Sequence, residues 1–178
     1  MEKFYFQKIS ELKKERKNLE DQLKVKISLT GKLVFIEGDS VAEYEASIVM
    51  EAMQLGFSVK KALALKDPEM KFLRLHIRDF TRRKNLKDVR ARIIGKEGKT
   101  KRTIESISDC DIVISDSEVG IIGSTESIED ATTAIKNIIK GSKQANAYRY
   151  LERRNATKRE EMQKGLDLGL KNKKTYKK

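Results

Sequence analysis

The chain has 178 residues, which suits one medium domain or two small ones. Its 39 Lys and Arg against 27 Asp and Glu give a net charge of +12, and 38% hydrophobic content is too much for a wholly disordered chain yet enough only for lean cores. No apolar run approaches a membrane span or a signal sequence, and one cysteine (Cys110) with one histidine (His76) builds neither an internal disulfide nor a Cys-based zinc site, so a reduced, cytoplasmic protein without cofactor or structural metal is expected.

Taken in chain order, Lys3–Ile9 predicts a strand and Ser10–Leu23 a helix with Leu12, Leu19 and Leu23 inward. Val25, Ile27 and Leu29 alternate as in a strand, and Val34 and Ile36 belong to a second one closed by Gly38. Asp39-Ser40 supplies a helix N-cap, with Ser40 and Glu43 at capping-box spacing. The helix that follows carries an apolar stripe of Ala46, Val49, Met50 and Met53 and stops at Gly56. Ser58–Lys66 predicts a short connecting helix ended by Asp67-Pro68.

The pattern then begins again. Lys71–Ile77 predicts a strand, Leu86, Val89, Ile93 and Ile94 a helical face, and Ile104 and Ile107 a second one. Between these helices stands Gly95-Lys96-Glu97-Gly98. Two strands (Ile112 and Ile114; Val119 and Ile121) lead to a Ser124-Thr125 cap, a helix with Ile128, Ala131, Ile135 and Ile138 inward, and Gly141. A last helix places Ala147, Tyr150, Leu151 and Met162 on one side, and Lys171–Lys178 is expected to fray.

From Val25 to Gly56 the first copy lies over Cys110 to Gly141 at an offset of 85, while the opening strands match at 68. The second copy is therefore expected to hold 17 more residues, room for a second helix. It reads β-α-GxxG-α-β-β-α; the first reads β-α-β-β-α, with no glycine from Phe6 to Thr30.

Charge follows the same division. Residues 1–68 carry net +1, 71–102 net +10, 103–142 net −6 and 143–178 net +8. Two concentrated positive blocks point to a polyanion, foremost nucleic acid. An acidic membrane is a poorer match, because no segment pairs a broad Phe/Leu face with the cations.

The glycine loop admits two chemistries. A triphosphate loop ends in Gly-Lys-Thr, as Gly98-Lys99-Thr100 does, but needs glycine where Ile93 stands and a strand before the loop. The helix–GxxG–helix of a KH domain fits better: two glycines let the backbone approach a nucleic-acid backbone, and the next helix offers free N–H groups to phosphate. The candidate RNA-binding residues are Arg90, Arg92, Ile93, Ile94, Gly95, Lys96, Glu97, Gly98, Lys99, Lys101, Arg102, Ile112 and Ile114, with Arg149, Arg153 and Arg154 from the last helix. His76, Cys110, the Met50/Met53 pair and the Asp109/Asp111 pair read as strand, core and surface residues rather than as sites.

Residues 71–153 resemble the second KH domain of the archaeal and eukaryotic partner-of-Nob (Krr/Dim-type) family of small-subunit maturation factors. The resemblance rests on Ala91–Glu105, Ile121-Ile122-Gly123-Ser124 and Ala147–Arg153, and Gly56–Leu65 is similar to that family's inter-domain linker. It implies an α+β fold of two tandem KH-like domains. The first (1–68) is degenerate, without GxxG, and includes the connecting helix; the second (69–145) is type I, β-α-α-β-β-α; a C-terminal helix and basic tail (146–178) follow. The function implied is non-catalytic binding of small-subunit ribosomal RNA near its 3′ end. Contacts with a maturation endonuclease and an initiation-factor subunit are implied as well. The competing reading is a protein–protein adaptor that docks such partners through the first domain and linker.

Overall fold

The computed structural model describes residues 2–175, with side chains described through Leu166. Each copy folds a three-stranded antiparallel sheet with helices packed on it. In the first, β1 (Glu2–Tyr5), β2 (Lys26–Thr30) and β3 (Leu33–Glu37) align in the order β1-β3-β2. Helix α1 (Ser10–Leu23) buries Leu12, Leu19 and Leu23, as its spacing predicts. Helix α2 (Ser40–Leu55) buries Ala46, Val49, Met50 and Met53. Its cap lies one residue earlier than the Ser40/Glu43 spacing implies. Asp39 accepts from the Val41 and Ala42 N–H groups, and Glu43 accepts from Gly38 N–H at 3.1 Å. The connecting segment is one turn of helix, α3 (Val59–Ala62), tightened to a 3-10 turn at Leu63–Lys66 before Pro68.

In the second copy, β4 (Met70–His76), β5 (Asp111–Ile114) and β6 (Glu118–Ser124) take the order β4-β6-β5. Helices α4 (Leu86–Ile94), α5 (Lys99–Ser108) and α6 (Thr125–Lys140) pack on it, and α7 (Gln144–Thr175) packs on α5 and α6. Helices α2 and α6 are both 16 residues long and superpose at the 85-residue offset. The opening strands do not match at 68. Phe6 N–H donates to Lys32 O and Ile77 N–H to Ser117 O, so Phe6 and Ile77 are equivalent and their offset is 71. The second copy thus gains 14 residues, not 17. Gly123, which lies over Gly38 at the 85-residue offset, does not follow its strand as Gly38 does but lies inside β6, where a Cβ would stand 2.6 Å from Cys110 Sγ.

The two cores meet. Ile122 of β6 is fully buried in the first copy's core. A Cβ on Gly120 would come within 2.4 Å of Leu55 Cδ2 and 2.8 Å of Phe57 Cε2, so this glycine is what lets the sheet lie against the end of α2. Phe57 and Phe72 stack edge to face at 6.0 Å, and Lys61 pairs with Asp111 at 2.6 Å.

Helix α7 is anchored by Ala147 and Leu151, each 1% exposed. Met162, expected on the same side, points to solvent because the supporting helices have ended there. The helical backbone continues through Thr175, including lysines expected to fray; residues 176–178 of that segment lie outside the described residues.

Candidate nucleic-acid interface

Helix α4 starts at an Asn85 cap, whose side chain accepts from Lys87 N–H, and stops abruptly at Gly95. Gly95 has φ 74°, ψ 175°, a conformation essentially reserved for glycine. A Cβ there would lie 2.1 Å from Thr100 Oγ1 and 2.8 Å from Thr100 N, and Thr100 is buried. Lys96, Glu97 and Gly98 make a tight turn in which Glu97 (φ 51°) and Gly98 (φ 76°) are left-handed. Helix α5 then starts at Lys99 with its N-terminus on the turn, a disposition that favours an anion. Lys96, Glu97, Lys99 and Arg102 are exposed, and among the described residues none of the three cations has an ion pair.

The remaining candidates divide sharply. Ile93 and Ile112 are each 1% exposed and belong to the core, so the apolar wall that solvent reaches is Ile94 and Ile114, both half-buried. Arg90 pairs with Asp116 and so ties α4 to the β5–β6 turn. Arg92 turns away from Asp116 and donates to the Gly141 and Ser142 carbonyls at 3.1 and 2.9 Å, at the end of α6. Lys101 pairs with Glu105 at 3.2 Å, and Glu105 in turn accepts from Ile112 N–H at 2.8 Å, tying α5 to β5. Arg149 and Arg153 are exposed, but Arg154 is held by Asp130 at 2.8 Å.

Asp130 is the anchor of α7, taking Lys158 at 2.7 Å as well. Burial opposes its ionisation, yet the hydrogen bonds and charges of Lys158 and Arg154 outweigh burial and hold its carboxyl below the usual aspartate value. Cys110 is pushed up to about 11 by burial, so its thiol stays protonated and inert. Among the described residues no cluster of three His, Cys, Asp or Glu could hold a metal ion, and no helix is long and apolar enough to cross a membrane. Sequence reading singled out the loop cations but passed over Arg82, Arg83, Lys84, Lys140 and Lys143. All five are exposed, and the run Arg82-Arg83-Lys84 was their visible signal.

A β-α-α-β-β-α unit with a glycine-bounded turn between its first two helices defines a KH domain, and residues 73–156 match the eukaryotic type KH domain, type I. The chain is 30% identical over 145 residues to a KH domain-containing protein of Methanocaldococcus jannaschii, covering 78% of this chain and 64% of that one. It is 37% identical over 137 residues to the RNA-binding protein PNO1 of Oryzias latipes, covering 71% of this chain and 56% of that one. The chain therefore spans just over half to just under two thirds of the length of these curated relatives. Among solved structures it is similar to a chain of the a/eIF2α–aDim2p–rRNA complex from Pyrococcus horikoshii OT3, with TM-score 0.79 and 31% identity over 88% of this chain and 94% of that one. The chain belongs to the PNO1/Dim2-type family of KH-domain proteins of pre-ribosomal RNA processing.

Proposed function

We propose that this protein is a non-catalytic, cytoplasmic RNA-binding factor of small-subunit assembly that holds single-stranded ribosomal RNA, near its 3′ end, at the GKEG turn. It consists of two tandem KH units, 1–68 and 69–145, the first lacking the glycine turn, followed by a basic C-terminal unit, 146–178. The observation that carries this reading is the exposed turn itself: Lys96 and Glu97 stand out to solvent, α5 begins on it, and among the described residues Lys96, Lys99 and Arg102 around it have no ion pair. Gly95, Gly98 and Glu97 shape the turn; Ile94 and Ile114 wall the base-binding groove; Arg149 and Arg153 add backbone contacts. Arg90, Arg92, Lys101 and Arg154 act as positioning residues, and Ile93 and Ile112 support the wall from the core. The a/eIF2α–aDim2p–rRNA structure of its neighbour supports both the RNA and an initiation-factor subunit as partners.

The test is the double substitution Lys96→Asp/Glu97→Asp. Asp tolerates the left-handed conformation at 97, so the fold is retained while the net charge of positions 96 and 97 falls from 0 to −2. Filter binding to small-subunit ribosomal RNA fragments, with and without ATP, should lose most affinity and show no nucleotide dependence. Wild-type binding by the variant would move the site elsewhere.

A second reading, docking of a protein partner such as the maturation endonuclease, is favoured by one feature. Residues 33–59 contain five acidic and no basic side chains, and α2 exposes Val41 (68%) and Tyr44 (66%) there. An acidic, apolar face repels RNA and suits protein. The two readings use different halves of the chain and coexist.

A further inference from the structure

Arg90 and Arg92 are two residues apart on α4, about 200° around the helix, and they reach opposite sides of it. Arg90 meets the β5–β6 turn on the groove side; Arg92 meets the α6–α7 junction. The Gln144 amide donates back to Arg92 O at 2.8 Å, so the junction is fastened to the last turn of α4. That turn lies only three residues, about 4.5 Å along the axis, before Gly95. The GKEG turn thus borders two flanks, and only the groove flank belongs to the site described above.

The other flank is densely cationic. The Arg83 guanidinium lies 3.7 Å from where a Cβ on Gly141 would stand. Lys140 and Lys143 are exposed on either side of Gly141, and Arg82 and Lys84 are exposed beside Arg83. Among the described residues none of these five side chains has an ion pair or a hydrogen bond. By contrast, Arg90, Lys101, Arg154 and Lys158 are neutralised by Asp116, Glu105 and Asp130. Arg83, Lys140 and Lys143 border the junction, with Arg82 and Lys84 next to Arg83 in the chain, and cations gathered in this way repel one another unless an anion is brought to them.

We infer that Arg82, Arg83, Lys84, Lys140 and Lys143 form a second RNA-backbone contact surface on the flank of α4 opposite the groove, so that a strand held at the GKEG turn continues over the α6–α7 junction. The inference rests on the RNA-binding reading of that turn. Its contacts are to phosphate, so they add affinity and reach without reading sequence.

The experiment compares wild-type protein with Arg83→Gln/Lys140→Gln/Lys143→Gln. The probes are two single-stranded RNAs taken from the small-subunit ribosomal RNA 3′ end, about 6 and about 20 nucleotides long. A short RNA fills the turn and groove only; a long one crosses the junction. The 20-mer is expected to bind the variant roughly tenfold more weakly, with its slope of log affinity against log salt reduced by about 2, from about 0.7 per lost phosphate contact. The 6-mer should change by less than twofold. A charge-preserving variant, Arg83→Lys/Lys140→Arg/Lys143→Arg, should bind both RNAs as wild type does, which separates lost charge from lost packing. Equal losses on both RNAs, or an unchanged 20-mer, would overturn the inference, the latter also if the patch serves an acidic protein. Failure of the turn itself looks different: wild-type protein would then bind neither RNA, or Lys96→Asp/Glu97→Asp would leave both bound. Either result removes the second surface along with the first.

Discussion

Replacing Gly95 with alanine tests whether the turn is built as its geometry implies. At φ 74°, ψ 175° a non-glycine residue costs about 1–3 kcal/mol. The added methyl must also displace Thr100, whose Oγ1 and backbone N lie 2.1 and 2.8 Å from the new Cβ, and forced overpacking of this kind costs about 1–3 kcal/mol. The sum, about 2–6 kcal/mol, is a large share of the roughly 5–15 kcal/mol that stabilises a domain. Gly98→Ala is the control. Its left-handed conformation costs about 1–2 kcal/mol, its Cβ meets nothing closer than Arg102 at 3.7 Å, and the stiffer unfolded chain returns about 0.4–1 kcal/mol. Urea unfolding followed by far-ultraviolet circular dichroism should therefore rank Gly95→Ala well below Gly98→Ala. Adding Thr100→Ala to Gly95→Ala should recover part of the loss, because the closest atom has gone. Equal stabilities for the two glycine variants, or no coupling between positions 95 and 100, would refute the reasoning.

Gly120→Ala should cost about 1–3 kcal/mol by driving Leu55 and Phe57 off the second sheet, and the thermal transition should broaden or split as the two halves uncouple. Asp130→Asn should loosen α7 at neutral pH by about 2 kcal/mol, the value of hydrogen bonds to a charged group. Because the Asp130 carboxyl is held below its ordinary value of 3.8, its contribution is full above that pH and is lost as pH falls through the lower folded value, so wild type and variant should converge in acid melts. Deleting residues 160–178 leaves Arg154 and Lys158 on Asp130 but removes six lysines. Specific and non-specific RNA should then weaken alike with a flatter salt dependence, and an unchanged slope would mean this segment does not touch RNA.

Sequence alone was enough for the elements whose causes are local. The β2–β3 and β5–β6 hairpins, helices α2 and α6 with their Gly56 and Gly141 stops, and the Gly95–Gly98 break follow from alternation, 3.6-residue periodicity and glycine placement. The offset of the opening strands was not legible, because Phe4 resembles Phe72 in type while the Phe6–Lys32 and Ile77–Ser117 hydrogen bonds set the true register. Nor could sequence say which cations face a ligand. Arg92 is tied to carbonyls 49 and 50 residues away and Arg154 to a carboxylate 24 residues away, whereas among the described residues Lys96, Lys99, Arg102 and the Arg82–Lys84 run have no ion pair. A cation's availability depends on the groups that tertiary packing brings beside it, and neighbouring residues in the chain carry no record of them.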